Sequence, residues 1–104
     1  MEHRNGSRIP AQLNVSVWHG DTHLGWYRTR DLGSGGLAIR GRVPGLSTNL
    51  LVRTAIEVLG DGDPKYIELR ALVVHQDDQG VGMMWAADTA LLEQLAPWMN
   101  RLAA

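Results

Sequence analysis

Residues 50–59 read Leu-Leu-Val-Arg-Thr-Ala-Ile-Glu-Val-Leu, and residues 66–75 read Tyr-Ile-Glu-Leu-Arg-Ala-Leu-Val-Val-His. In the first stretch Val52, Thr54, Ile56 and Val58 fall on one side and Arg53 and Glu57 on the other, the period of two that a half-buried strand shows. β-branched residues at the covered positions favour the same conformation. The second stretch repeats the pattern, with Ile67, Leu69, Ala71 and Val73 opposed to Glu68 and Arg70. Gly60-Asp-Gly-Asp-Pro64 ends the first of these strands, and Asp77, Asp78 and Gly80 turn the second into residues 81–86 as a hairpin.

Outward from this pair the chain keeps the same short rhythm. Ala11, Leu13, Val15 and Val17 alternate with Gln12, Asn14 and Ser16, which predicts a first strand beginning at Ala11. Turn residues at His19-Gly-Asp-Thr-His23 let residues 24–31 return antiparallel. The glycine-dense step Gly33-Ser-Gly-Gly36 leads into a short strand at Leu37-Ala-Ile39, and Pro44 and Gly45 mark the loop after it. Only the C-terminus changes period. Leu91, Leu95, Trp98 and Leu102 recur at helical spacing behind Asp88 or Thr89 as N-cap, with Pro97 kinking or restarting the helix. Six short antiparallel strands and one helix predict a mostly all-β chain that closes into a small barrel, because closure removes exposed edges. The expected single domain over 1–104 divides into an N-terminal arm (1–9), a barrel (10–87) and a helix (88–102).

With 104 residues and 44% of them hydrophobic, the chain suffices for one core and one domain. The absence of cysteine excludes disulfides, thiol catalysis and sulfur-ligated zinc, and fits a reducing compartment. The first residues lack the apolar core of a signal peptide, and no apolar run approaches a membrane span, so a cytoplasmic protein without membrane insertion is expected. The net charge of −1 hides an asymmetry: residues 1–42 carry six arginines against three acids, whereas residues 43–104 carry four cations against eight acids. A sequence pI near 6.4 lies below the range of duplex-binding domains, so a small phosphate ligand is expected rather than DNA. Arginine supplies nearly all the cations, and its planar fork grips phosphate and guanine edges bidentately.

Two segments stand out: Arg4-Asn-Gly-Ser-Arg8 ahead of the first strand, and Asp31-Leu-Gly-Ser-Gly-Gly36 at a strand junction. An Arg-x-x-x-Arg segment followed by Asp/Asn-x-Ser-x-x-Gly at this distance resembles the paired signature of PilZ domains, and the resemblance extends over essentially the whole chain. It implies a six-stranded antiparallel PilZ-like β-barrel with a C-terminal α-helix, cyclic di-GMP as ligand and no cofactor. In that family the two arginines grip guanine and phosphate groups while the acid, serine and final glycine line the other side. Carried over, the ligand-binding residues are Arg4, Arg8, Asp31 and Gly36, with Gly33, Ser34, Gly35, Arg28 and Arg30 as an extension. The sequence departs from the pattern at Gly33, which stands where the family has serine. Loss of one net hydrogen bond there costs about 0.5 to 1.5 kcal/mol, or roughly two- to twelvefold in affinity.

The chemistry of those residues agrees with the roles. Arginine forks meet guanine O6 and N7, Asp31 can accept from guanine N1–H and N2–H, and Gly36 is expected to supply a φ > 0 turn and close backbone approach. Whether Arg28, Arg30 and Arg40 face the ligand depends on register. The implied function is a cyclic di-GMP receptor that reorders its arm and signals to a protein partner in biofilm or motility regulation. The alternative is a degenerate PilZ-like adaptor that works through protein contacts alone.

Other patterns carry less. Gly33-x-Gly35-x-x-Ala38 has the form of a dinucleotide fingerprint, but that motif must open a helix and here a strand follows. His19, Asp21 and His23 could gather around a metal, yet spacing across a tight turn converges three ligands poorly, and no metal is expected. No nucleophile, base and orienting acid occur at recognisable spacing, so no enzyme is expected. Trp18, Trp26, Trp85 and Trp98 suit a core or a surface patch, and Trp26 beside Arg28 and Arg30 is placed to flank a ligand.

Overall fold

The structure, a computed structural model, describes residues 8–59 and 62–86, together with Pro97. Arg4 and, apart from Pro97, the helix expected over 88–102 lie outside the described residues. Seven strands follow in chain order: β1 (Arg8–Pro10), β2 (Asn14–His19), β3 (Thr22–Gly33), β4 (Gly36–Arg40), β5 (Leu51–Leu59), β6 (Pro64–Asp77) and β7 (Gly80–Trp85). All pairings are antiparallel. Strands β3, β2, β5, β6, β7 and β4 are hydrogen-bonded in that order, and β4 pairs back onto β3. Six strands therefore form the closed barrel that the alternation predicts, and β1 is an addition to its wall.

The residues that alternate in sequence line the interior. Val15 and Val17 of β2, Val52, Ile56 and Val58 of β5, and Ile67, Leu69, Ala71 and Val73 of β6 are all buried, joined by Leu37, Ile39, Val81 and Met83. Thr54 is buried among them, and its hydroxyl donates to the Leu69 carbonyl at 2.8 Å. That bond removes the penalty of an unpaired interior hydroxyl. The pairing of β5 with β6 runs unbroken from Leu51 opposite Leu72 to Leu59 opposite Pro64. The hairpins turn as read: Gly20 takes a positive φ of 60° between β2 and β3, and Asp77 Oδ1 accepts the backbone N–H groups of Gln79 and Gly80 between β6 and β7.

The N-terminal strand differs from the expectation. Alternation from Ala11 predicts one strand, but the ladder is broken at residues 11–13, and β1 and β2 lie end to end along the same side of β3. The cause is Thr29, a fully buried residue of β3. Its hydroxyl donates to the Ala11 carbonyl at 2.5 Å and accepts the Leu13 N–H at 2.8 Å. Its own N–H donates to the Leu13 carbonyl at 2.9 Å. One side chain thus satisfies backbone groups that a regular ladder would have paired, and the kink between β1 and β2 costs no orphaned donor.

Candidate functional site

β1 brings the two motif segments together. Arg8 pairs with Gly33, Ile9 with Leu32 and Pro10 with Asp31. Ile9 and the buried Leu32 face inward, so Arg8 and Pro10 face outward with Asp31. Pro10, which offers no N–H to a ladder, sits in a strand that has one partner among the described residues, where it is tolerated. Arg8 and Asp31 stand diagonally across the pair, within reach of a long side chain. The Arg8 guanidinium meets the Asp31 carboxylate at 2.5 Å.

A bulge completes the cluster. The register between β3 and β4 shifts between Thr29 and Asp31, leaving Arg30 as the extra residue. In a regular strand neighbouring side chains point to opposite faces. Here Thr29 and Leu32 both point inward, so Arg30 and Asp31 are both turned outward. Arg30 Nε accordingly reaches Asp31 Oδ2 at 3.4 Å. Lateral to Asp31 the register partners are Ala38 on β4 and then Gly82 on β7, which give the surface beside the carboxylate a floor without bulky side chains.

The glycine-dense segment is anchored from within the barrel. Trp85 donates its indole N–H to the Gly33 carbonyl at 2.9 Å, and its backbone N–H to the Gly35 carbonyl at 2.9 Å. Ser34 and Gly35 remain exposed at the junction. Gly36 does not adopt the positive φ expected of it. Its requirement is spatial: a Cβ at Gly36 would fall on the Met83 carbonyl of β7, well inside contact distance. The glycine permits the close approach of β4 and β7 rather than a left-handed turn.

The remaining arginines are dispersed. Arg28 reaches away from Asp31 to the Gln12 carbonyl at 3.4 Å. Arg40 lies opposite Gly80, and Arg42 pairs with Asp78 at 2.6 Å. Beyond the end of β4, Arg42, Val43, Leu46, Gln76 and Asp77 line a cleft of about 310 Å³. His23 of the β2–β3 hairpin is hydrogen-bonded to Ser16 Oγ at 2.8 Å, and among the described residues no three metal-ligating side chains converge. Among those residues, too, no helix is long and apolar enough to cross a membrane. Arg8, Arg30 and Asp31 are thus gathered, while Arg28 reaches the Gln12 carbonyl, Ser34 is exposed and Gly35 is held through its carbonyl by Trp85. The sequence reading assigned Trp85 only to a core or patch and did not single out Thr29; both act here by hydrogen bonds to backbone groups. Their signal is burial of a hydrogen-bonding side chain, which appears only once the barrel is closed.

No protein-family model matches the chain, and no curated protein matches it in sequence. Solved structures do resemble it. Over 97% of this chain, MotI/DgrA, the inhibitor of motility of Bacillus subtilis, superposes with a TM-score of 0.76 at 17% identity. The PilZ domain of CeSA from a cellulose-synthesizing bacterium superposes over 90% of the chain with a TM-score of 0.67 at 24% identity. The chain folds as a PilZ-like domain. The K. pneumonia MrkH–c-di-GMP complex has the same fold over 99% of the chain, with a TM-score of 0.57 at 15% identity. This PilZ-like domain spans 98% of the CeSA domain but only 51% of MotI/DgrA and 55% of MrkH. At these identities the likeness is one of fold, and the ligand of MrkH is a property of MrkH.

Proposed function

We propose that the protein is a cyclic di-GMP receptor of the PilZ type, a non-catalytic cytoplasmic adaptor that couples nucleotide binding to a protein partner in motility or biofilm control. The observation that carries this reading is the meeting of Arg8, Arg30 and Asp31 on one outward face, joined from segments 23 residues apart. Two guanidinium groups held by one carboxylate are aligned before a ligand arrives, so less side-chain entropy is lost on binding. A phosphate or guanine edge then takes over donors from Asp31, and Asp31 is left to accept from guanine N1–H and N2–H. Arg4, four residues before Arg8, supplies the second motif arginine, and its recruitment is the step that reorders the arm. The PilZ-like fold and the MrkH complex support the choice of nucleotide.

A second reading is favoured by Gly33. The motif serine is replaced there, and the carbonyl of Gly33 is already engaged by Trp85. In that reading the chain is an adaptor that works without nucleotide. Calorimetric titration of the full chain with cyclic di-GMP separates the two. The receptor reading predicts saturable binding that weakens about tenfold or more in Arg8→Ala and in Asp31→Ala, the scale of one lost charge-assisted hydrogen bond. A folded protein that gives no heat at tens of micromolar nucleotide overturns the receptor reading and favours the adaptor.

A further inference from the structure

The outer face formed by β3, β2, β5 and β6 carries a second organised surface. Register sets out its rows: Trp26, Ser16, Ala55 and Glu68 lie side by side, and His23, Trp18, Arg53 and Arg70 form the next row. Tyr66 stands opposite Glu57 on the same face. Strands β3 and β6 are three spacings apart, about 14 Å, yet the Trp26 and Tyr66 ring centroids are 6.2 Å apart. The two side chains therefore lean toward each other over Ser16 and Ala55, whose small side chains leave the room, and Ser16 is left only 3% exposed. His23 lies 6.3 Å from Trp26 and 4.5 Å from Trp18, so four rings run in a continuous row. Ser16 Oγ locks the row from beneath, accepting the Trp18 indole N–H at 2.9 Å and bonding His23 Nε2 at 2.8 Å.

The row is capped by paired cations. The Arg53 guanidinium stacks 5.3 Å above the Trp18 ring, which fixes its position by cation–π attraction. Arg70 lies directly opposite Arg53 across the strand pair, and like charges so placed repel. Among the described residues no carboxylate lies within ion-pair distance of either. A hollow of about 130 Å³ is lined by Arg53, Glu68, Leu69 and Arg70. Trp26 and Tyr66 are each about half exposed, at 53% and 52%. Glu57 on the same face is already held by Asn14 and Tyr66. The face thus joins prepositioned aromatic surface to two arginines that have no ion-pair partner among the described residues.

We infer that this face is a docking surface for an acidic protein segment, one that places carboxylates between Arg53 and Arg70 and an aliphatic or aromatic side chain against Trp26 and Tyr66. Tryptophan, tyrosine and arginine carry most of the binding energy at protein interfaces, and rings already locked by neighbours lose little freedom when covered. A carboxylate between the two guanidinium groups relieves their repulsion. Single-stranded nucleic acid also uses rings and arginines, but it carries a charge on every nucleotide and must pass Glu57 and Glu68, whereas a peptide needs its carboxylates only at Arg53 and Arg70. The surface is separate from the Arg8–Asp31 cluster, and Trp26 lies five residues, about 17 Å, before Asp31 along β3.

The test uses the isotope-labelled full chain and three probes: an acetylated hexapeptide alternating glutamate with leucine or phenylalanine, the same peptide with lysine for glutamate, and a deoxythymidine decamer. The acidic peptide is expected to shift the indole N–H signals of Trp18 and Trp26 and the Nε–H signal of Arg53, saturably, while the Arg8 signal stays in place. Affinity is expected to fall at least tenfold in Arg53→Gln and in Trp26→Ala, with Arg70→Gln as a further variant. Spectral dispersion verifies that each variant is folded. No shift at millimolar acidic peptide overturns the proposal, as does an equal response to the lysine peptide or to the decamer. Cyclic di-GMP is absent from every arm, so failure here is distinct from failure of the receptor reading.

Discussion

Arg8 and Asp31 meet at 2.5 Å across 23 residues of sequence, and both remain partly open to solvent, with side-chain exposures of 48% and 24%. An ion pair so placed is screened and contributes about 0 to 1 kcal/mol to stability. Its geometric effect is larger than its energetic one, because it holds a guanidinium over the outward face of β3. Arg8→Ala is therefore expected to shift the melting temperature by no more than about 4 to 8 °C while weakening nucleotide binding about tenfold or more. Paired thermal and calorimetric measurements check this. Equal loss in both would make the pair structural.

Thr29→Val removes a hydroxyl that serves two backbone groups, the Ala11 carbonyl and the Leu13 N–H. Valine keeps the volume and strand propensity, so the change isolates the hydrogen bonds. The expected cost is about 1 to 3 kcal/mol, read from the urea midpoint, with accelerated amide exchange at Leu13. Unchanged exchange at Leu13 would show that the kink between β1 and β2 has another cause.

Gly36→Ala drives a methyl group into the Met83 carbonyl, and backbone cannot rotate away as a side chain can. A loss of about 1 to 3 kcal/mol is expected. Gly82→Ala is the control: the nearest atom to its new methyl is the His75 Cβ at 3.6 Å, an ordinary contact. That variant is expected to stay within about 0.5 kcal/mol of the parent. Comparable melting temperatures for the two variants would contradict the close approach of β4 and β7.

Asp77 is held below the usual carboxylate value of 3.8, first by the Gln79 backbone N–H and then by His75, with the Gly80 N–H adding to them. Its depressed value means that the unfolded chain binds the proton more readily. The stabilisation is thus fully present above about pH 4 and is lost as pH falls through the lower folded value. Asp77→Asn has no carboxylate to titrate. Urea midpoints should show a difference between parent and variant that is at its full size near pH 5 and shrinks as pH falls below about 4. A gap that stays constant to pH 2 would assign the acid sensitivity to other groups.

The barrel was legible because β5 and β6 are long and strictly alternating, so Val52 through Val58 and Ile67 through Val73 could face only one way. The break at residues 11–13 was not, because Ala11 and Leu13 keep the alternation while the hydroxyl that interrupts it belongs to Thr29, on another strand. The positive φ expected at Gly36 is absent, and what excludes a Cβ there is the Met83 carbonyl, a neighbour distant in sequence that no local pattern announces. That Arg8 and Asp31 share one site was implied by the resemblance to PilZ domains, whereas the place of Arg30 beside them depends on a bulge that composition does not announce. The ring row was least accessible of all. It arises from lateral register across four strands, with Ser16 and Ala55 contributing by being small.

β3 takes part in everything that makes this barrel more than a scaffold. Its twelve residues trace about 36 Å of backbone, with β1, β2 and β4 fastened along it. Arg30 and Asp31 stand near one end of this tie-beam and Trp26 nearer its middle. Thr29 sits between the two stations, so the strand that carries the ring row also seats the N-terminal segment, through a single hydroxyl.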